Sequence, residues 1–372
     1  MASHSQVLVE EKSSVRILTL NRPKQLNALS FQMISRLLQL FLAYEEDPSV
    51  KLVILKGQGR AFCAGGDVSA VVRDIGQGNW RLGAKFFADE YMLNYVMATY
   101  TKPQASWCLR HGPFRIATEN TVFAMPETVL GLFPDVGASY FLSRLPGFFG
   151  YLPLSPFLFR RVCGLTGARL DGADMLACGL ATHYLPSTRL TALEAELCRV
   201  DSSDPALVST ILDAYTQNPH LKQQSAYHRQ LFRLFFLGGL DVIDRCFSGR
   251  TVEEIIAALE REATHGGDDW ISSTIRALKK ASPASLKISL RSCLSREYRM
   301  VCHVLKGDIS KDFVEGCRAI LIDKDKNPKW EPWRLEEMKD RMVEQYFKRV
   351  EEEEDLKFPA RKNLPALAMA KL

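Results

Sequence analysis

Nine cysteines, at positions 63, 108, 163, 178, 198, 246, 293, 302 and 317, form no Cys-x-x-Cys pair and no short ligand cluster. A metal site built on closely spaced thiolates is therefore excluded, and no metal is expected. Their odd number and the lack of an apolar secretory segment point to reduced thiols in an intracellular compartment. No dense basic tract accompanies the net charge of +5, which argues against a nucleic-acid partner. No apolar run approaches the roughly 20 residues that a membrane span needs. Residues 1–15 contain Glu10 and Glu11 but no arginine, against a mitochondrial presequence.

What is present is ordinary for a globular protein: 372 residues, 47% hydrophobic and 24% charged. That length can bury a sizeable core, as one large or two modest domains. The most informative stretch runs Phe123-Ala-Met-Pro-Glu-Thr-Val-Leu-Gly-Leu-Phe-Pro-Asp-Val-Gly137. Two carboxylates, Glu127 and Asp135, stand in an otherwise apolar run, each directly after a proline. Eight positions apart, they are too distant to share a helical turn, and Gly131 and Gly137 permit tight backbone turns. Apolar surroundings disfavour the charged form, so carboxylates held there suit general-base or nucleophilic chemistry. The residue pattern alone leaves a pair of solvated loop acids equally open.

The segments Met125-Pro-Glu-Thr128 and Gly131-Leu-Phe-Pro-Asp-Val-Gly137 resemble the signature of the 3-hydroxyisobutyryl-CoA hydrolases, a branch of the crotonase (enoyl-CoA hydratase/isomerase) superfamily. The similarity runs from about Gln6 to the C-terminal residues. It implies an α/β fold: a crotonase-like ββα spiral core over 1–190 and a mostly helical region over 191–372. It further implies hydrolysis of a short 3-hydroxyacyl-CoA thioester, 3-hydroxyisobutyryl-CoA first, as in valine breakdown, with no cofactor beyond the CoA of the substrate. An enoyl-CoA hydratase is the neighbouring alternative, although Asp135 in the second acidic position favours the hydrolase. Glu127 would act as nucleophile or general base, and Asp135 would hold the 3-hydroxyl. In Ala64-Gly65-Gly66-Asp67, Gly66 would supply one oxyanion-hole N–H beside Gly65. Lys24, Asn27 and Ala28 fall in the turn that borders the CoA pocket, and Glu90 matches a position that touches the acyl group.

Local patterns agree with such a core. Val15–Leu20 reads as a strand. A helix follows from Ser30 as N-cap, with Met33, Ile34, Leu37, Leu38 and Phe41 on one face. Lys51–Leu55 reads as a buried parallel strand, giving a right-handed βαβ unit. The glycines after it suit either a plain βα loop or a ligand approaching backbone N–H groups, with a following helix pointing its positive end there, and the resemblance favours the second. A helix is expected over about Leu82–Tyr100, others over Ala206–Tyr215 and Val252–Ala263, and a closing charged helix over Pro332–Val350.

Four departures interrupt the resemblance. Between Pro103 and His111 only Gln104-Ala-Ser-Trp-Cys-Leu-Arg110 stands where the family has a buried strand, a Gly-Gly-Gly turn and a helix start. The middle of those glycines would give the second oxyanion N–H, so the core is expected to lack a strand–turn segment near 104–110. Apolar insertions occur at Tyr151–Arg160 and Gln230–Gly239, and a family segment is missing around Ser292–Ser295. The flanking frame stays intact each time, as altered exon borders would leave it. A severely impaired or non-catalytic variant that at most binds acyl-CoA is thus the second expectation. Finally, Ala370-Lys371-Leu372 resembles a Ser-Lys-Leu address, so a peroxisomal import receptor is the expected partner and the peroxisome the expected location, with the cytoplasm as alternative. No nucleic-acid or membrane partner is expected, and self-association is left open.

Overall fold

The computed structural model describes residues 5–107, 112–138, 163–219, 246–247, 249, 251–264, 269–289 and 294–359. The insertions at Tyr151–Arg160 and Gln230–Gly239, His111, Cys108 and Ala370–Leu372 lie outside these. Among the described residues no helix is long and apolar enough to cross a membrane.

The chain starts as a hairpin of β1 (Val7–Lys12) and β2 (Val15–Leu20), antiparallel with Val7 opposite Leu20. The sequence pattern had singled out only the second strand. All six β2 residues are buried, which explains its uninterrupted apolar character; β1 is an edge strand with three exposed acidic or basic residues at its end. Helix α1 (Phe31–Glu46) starts where expected: Ser30 Oγ accepts the Met33 N–H at 3.2 Å, and Asp47 ends the helix. It buries Met33, Ile34, Leu37, Leu40 and Phe41, one helical stripe, and returns the chain to β3 (Leu52–Gly57), parallel to β2. Helices α2 (Val68–Gly76) and α3 (Trp80–Ala98) then precede β4 (Gln104–Trp107), and β5 (Phe114–Ala117) follows closely.

The expected loss of a strand needs correction. Gln104–Trp107 is itself a strand, in register with Val53–Leu55 on one side and Phe114–Ile116 on the other. β-branched and aromatic neighbours on both sides offer a complete ladder, so even a four-residue segment is drawn into the sheet. The missing part is the crossover. β4 and β5 are parallel but separated by residues 108–113 alone, whereas a parallel connection ordinarily takes a dozen or more residues and carries a helix. Six residues can reach about 20 Å, enough to climb back along one strand, yet too few to add a helical layer. Near that connection Arg115 donates to the carbonyls of Gly112, Gly179 and Leu180 at 2.7–3.1 Å, whereas Ser106 Oγ is buried without a partner.

Beyond β5, the short strands β6 (Val122–Phe123) and β7 (Leu170–Asp171) pair with each other, and α4 (Gly172–Ala177) leads to β8 (His183–Tyr184). The main sheet therefore has the order β1-β2-β3-β4-β5-β8, parallel from β2 onward. Helices α5 (Leu190–Leu197) and α6 (Pro205–Tyr215) cover one face through Leu193, Leu197, Val208 and Leu212. Helices α7 (Val252–Thr264), α8 (Asp269–Lys280), α9 (Pro283–Ser289), α10 (Leu294–Lys306) and α11 (Asp312–Cys317) complete the helical region. The largest buried cluster draws on residues from Val7 to Val350, so packing shows no boundary at 190. The single closing helix over 332–350 does not form. A 3-10 turn at Leu335–Glu337 and α12 (Asp340–Gln345) are separated by Met338, whose ψ of 86° is not helical. Burial of Met338 and the bond from Lys287 Nζ to its carbonyl at 2.8 Å override the helical pattern.

Candidate active site

The loop between β3 and α2 folds back because Gly57 has no side chain: a Cβ there would lie 2.5 Å from the Phe62 carbonyl oxygen. Asn27 pins this loop. Its Nδ2 donates to the carbonyls of Gln58 at 2.9 Å and Ala61 at 2.7 Å, and its Oδ1 accepts the Arg22 N–H at 2.8 Å. Fully buried and with both amide atoms engaged, the Asn27 side chain shapes the loop that carries the glycines. Arg22 ties the same turn to the helix start, donating to the Ala28 carbonyl at 2.6 Å and to Asp67 at 3.0 Å, with Asp67 in turn capping α2. Lys24 lies exposed at the outer edge of this turn.

A one-residue parallel bridge joins Leu29 to Gly66. Leu29 N–H donates to the Gly65 carbonyl and Val68 N–H to the Gly66 carbonyl, both at 2.8 Å, while Gly65 N–H points to Cys63 Sγ at 3.3 Å. Among the described residues no backbone carbonyl takes the Gly66 N–H. An N–H group left over at the start of a helix is the arrangement that stabilises negative charge on a ligand. Glu90 closes the other side: its Oε2 is 3.3 Å from where a Gly66 Cβ would sit, and the Phe86 ring is 3.0 Å from it.

Glu90 is buried on α3, where it shares a face with Phe86, Phe87 and Tyr91. Tyr91 extends the site to the second acidic stretch, donating its hydroxyl to Asp135 Oδ2 at 3.0 Å. Burial, and then the charges of Asp135, Glu297 and Glu90, push the Tyr91 phenol well above its ordinary range, so it stays protonated and donates. Gly137 N–H donates to Glu297 Oε2 at 2.9 Å, and Glu297 is completely buried. Glu127 and Asp135 sit at opposite ends of one compact loop. Glu127 opens a 3-10 turn (Glu127–Leu130) whose first carbonyl accepts the N–H groups of Gly131 and Leu132. Two contacts hold that turn from outside: Thr128 Oγ1 donates to the Leu165 carbonyl at 3.1 Å, and Ser282 N–H donates to the Thr128 carbonyl at 3.0 Å. Gly131, at φ 74°, presses directly on α11, where a Cβ would lie 2.2 Å from the Asp312 carbonyl oxygen.

Thus Gly66, Glu90 and Asp135 are joined through one helix face, and Glu127 heads the loop that delivers Asp135. Tyr91 and Glu297 escaped the sequence reading. Tyr91 follows Glu90 directly but belongs to no motif; Glu297 lies in a charged helical stretch with no local signal.

The model of the family described as enoyl-CoA hydratase/isomerase matches residues 15–347. The chain belongs to that family. Within it, the chain is similar to 3-hydroxyisobutyryl-CoA hydrolase 1 of Arabidopsis thaliana, 74% identical over 394 aligned positions covering 100% of this chain and 99% of that protein. An alignment of that length requires gaps in a chain of 372 residues, in keeping with the short crossover. It is 37% identical to the mitochondrial 3-hydroxyisobutyryl-CoA hydrolase of Gallus gallus over 93% of this chain and 89% of that one. Among solved structures, a carnitinyl-CoA dehydratase from Mycobacterium thermoresistibile superposes with a TM-score of 0.79 at 32% identity, covering 96% of this chain and all of that one. The family fold is therefore retained around the shortened connection.

Proposed function

We propose that the chain hydrolyses a short 3-hydroxyacyl-CoA thioester, 3-hydroxyisobutyryl-CoA first, to the free hydroxy acid and CoA. The full-length identity of 74% to a relative named for that reaction carries the reading. The joining of Gly66, Glu90 and Asp135 across α3 supports it from the side of chemistry. In this reading the thioester oxygen rests against the Gly66 N–H, which offsets the negative charge that grows there as the carbonyl is attacked. Glu127 either attacks the acyl carbon, giving an anhydride that water then opens, or removes a proton from the attacking water. The CoA thiolate leaves and takes up a proton. With a thiol pKa of about 8.5, it needs little acid assistance. Asp135 accepts the 3-hydroxyl and Glu90 borders the acyl group.

The short crossover between β4 and β5 favours a second statement about the same reaction: turnover is slow, because the family's second oxyanion N–H comes from the segment that residues 108–113 replace. A role in valine breakdown and a peroxisomal address in Ala370-Lys371-Leu372 complete the proposal; removing those three residues from a fluorescent fusion should turn punctate signal diffuse. The test of the chemistry is product analysis. Purified chain should release free CoA from 3-hydroxyisobutyryl-CoA and should not hydrate crotonyl-CoA. Hydration without CoA release would assign it to the hydratases instead.

A further inference from the structure

The turn that carries Asp135 is strained. Val136 has φ 49° and Gly137 φ 79°, two consecutive residues in the left-handed region, the first of them β-branched. Such a conformation costs of order 1–3 kcal/mol and persists only when its surroundings over-determine it. Two distant side chains do so here. Tyr91, 44 residues earlier on α3, donates to the Asp135 carboxylate at 3.0 Å. Glu297, 160 residues later on α10, accepts the Gly137 N–H at 2.9 Å. Both are buried, Glu297 completely, and α3 and α10 pack against each other, so the two anchors share one rigid support. A completely buried carboxylate is expensive unless charge-assisted hydrogen bonds compensate it, and a surface-directed residue of this helix would not need one. Ala138 N–H closes the turn on the Asp135 carbonyl at 2.9 Å.

We propose that Tyr91 and Glu297 are positioning residues that together hold the 135–137 turn, and with it the Asp135 carboxylate, in the orientation that selects acyl-CoA substrates bearing a 3-hydroxyl. This rests on the reading of Asp135 as the hydroxyl-binding group. Tyr91 fixes the carboxylate rotamer, and Glu297 fixes the backbone from which that side chain springs. Neither touches the substrate. Their loss therefore weakens discrimination between hydroxylated and plain acyl groups more than it weakens binding of CoA.

The experiment measures Kd for two non-hydrolysable thioether analogues of CoA, one carrying the 3-hydroxyisobutyryl skeleton and one lacking its hydroxyl, so that slow turnover does not matter. Tyr91→Phe removes one hydroxyl with little change of shape. Glu297→Met removes the acceptor, and Glu297→Gln retains a carbonyl acceptor for Gly137. Preference for the hydroxylated analogue should shrink roughly three- to tenfold in Tyr91→Phe and Glu297→Met, the fold-change of about one hydrogen bond. Glu297→Gln should keep it. Unchanged preference in a folded Tyr91→Phe overturns the proposal, even if Glu297→Met proves too unstable to purify; so does a loss in Glu297→Gln equal to that in Glu297→Met. Asp135→Asn separates the two layers of the argument. If it loses the preference while Tyr91→Phe keeps it, Asp135 binds the hydroxyl without these anchors. If it too keeps the preference, the hydroxyl-binding role of Asp135 itself fails.

Discussion

A methyl group at Gly66 is the sharpest perturbation of the site. The added Cβ would lie 3.0 Å from two atoms of the Phe86 ring and 3.3 Å from Glu90 Oε2. Carbon pairs relax near 3.5–4.0 Å, so something must give by about half an ångström to one ångström. Phe86 is buried and packs edge-on against Phe87 with ring centroids 5.4 Å apart, which leaves the ring little freedom. The glycine segment, half-exposed and held by the single bridge to Leu29, is the softer partner and should move. Overpacking of this kind costs about 1–3 kcal/mol in stability. The catalytic cost is larger: misplacing a reacting geometry by about 1 Å can cost 10²-fold, and removing an oxyanion donor about 10²–10³. Gly66→Ala should therefore fold, melt only a few degrees lower, and lose on the order of 10² or more in kcat for CoA release from 3-hydroxyisobutyryl-CoA, with KM little changed. A folded Gly66→Ala protein with unchanged kcat would refute the assignment of the Gly66 N–H to the oxyanion.

Other consequences are open to direct measurement. Replacing residues 108–113 by a family-like segment with Gly-Gly-Gly should raise kcat by about 10²–10³, roughly 2.7–4 kcal/mol; equal rates would show the segment to be dispensable. Gly131→Ala combines a φ of 74° with a Cβ placed 2.2 Å from the Asp312 carbonyl oxygen, so thermal denaturation should reveal a loss of about 3 kcal/mol or more, and a loss below about 1 kcal/mol would contradict that packing. Burial lowers the pKa of both His183 and His303 below the ordinary 6.5. On acidification the unfolded chain then takes up protons first, so stability is complete above about pH 6.5 and declines as pH falls toward the folded values. Melting temperature should drop between pH 7.5 and 5.5, and a double substitution, His183→Asn with His303→Gln, should flatten that slope.

The extent to which this molecule could be read from its residues follows the range of the interactions involved. Ser30 as a cap, the α1 stripe and the parallel strands β2 and β3 are visible because each depends on neighbours within a few positions. Glu127 and Asp135 stood out through a long specific motif, and Glu90 only through the position it occupies in the resemblance. The pairs that hold them did not, since Tyr91–Asp135 and Gly137–Glu297 span 44 and 160 residues and neither partner has a local signature. The part Asn27 plays in the loop was equally hidden, because its buried amide serves the carbonyls of Gln58 and Ala61, more than 30 residues away. The strand at Gln104–Trp107 was undervalued for a related reason. Four residues carry little pattern of their own, and only the ladders offered by β3 and β5 make them a strand. In the region 332–350 the helical charge pattern lost to the burial of a single side chain, Met338.

The central claim is that Glu127 turns over a thioester held against Gly66. Glu127→Gln keeps the size and hydrogen-bonding shape of the side chain while removing its basicity and nucleophilicity. The decisive measurement is free CoA released from 3-hydroxyisobutyryl-CoA by the purified chain and by Glu127→Gln, side by side in the background carrying the Gly-Gly-Gly segment. The account predicts measurable release in the parent and a fall on the order of 10²-fold or more in Glu127→Gln. Equal release by the two proteins would contradict it.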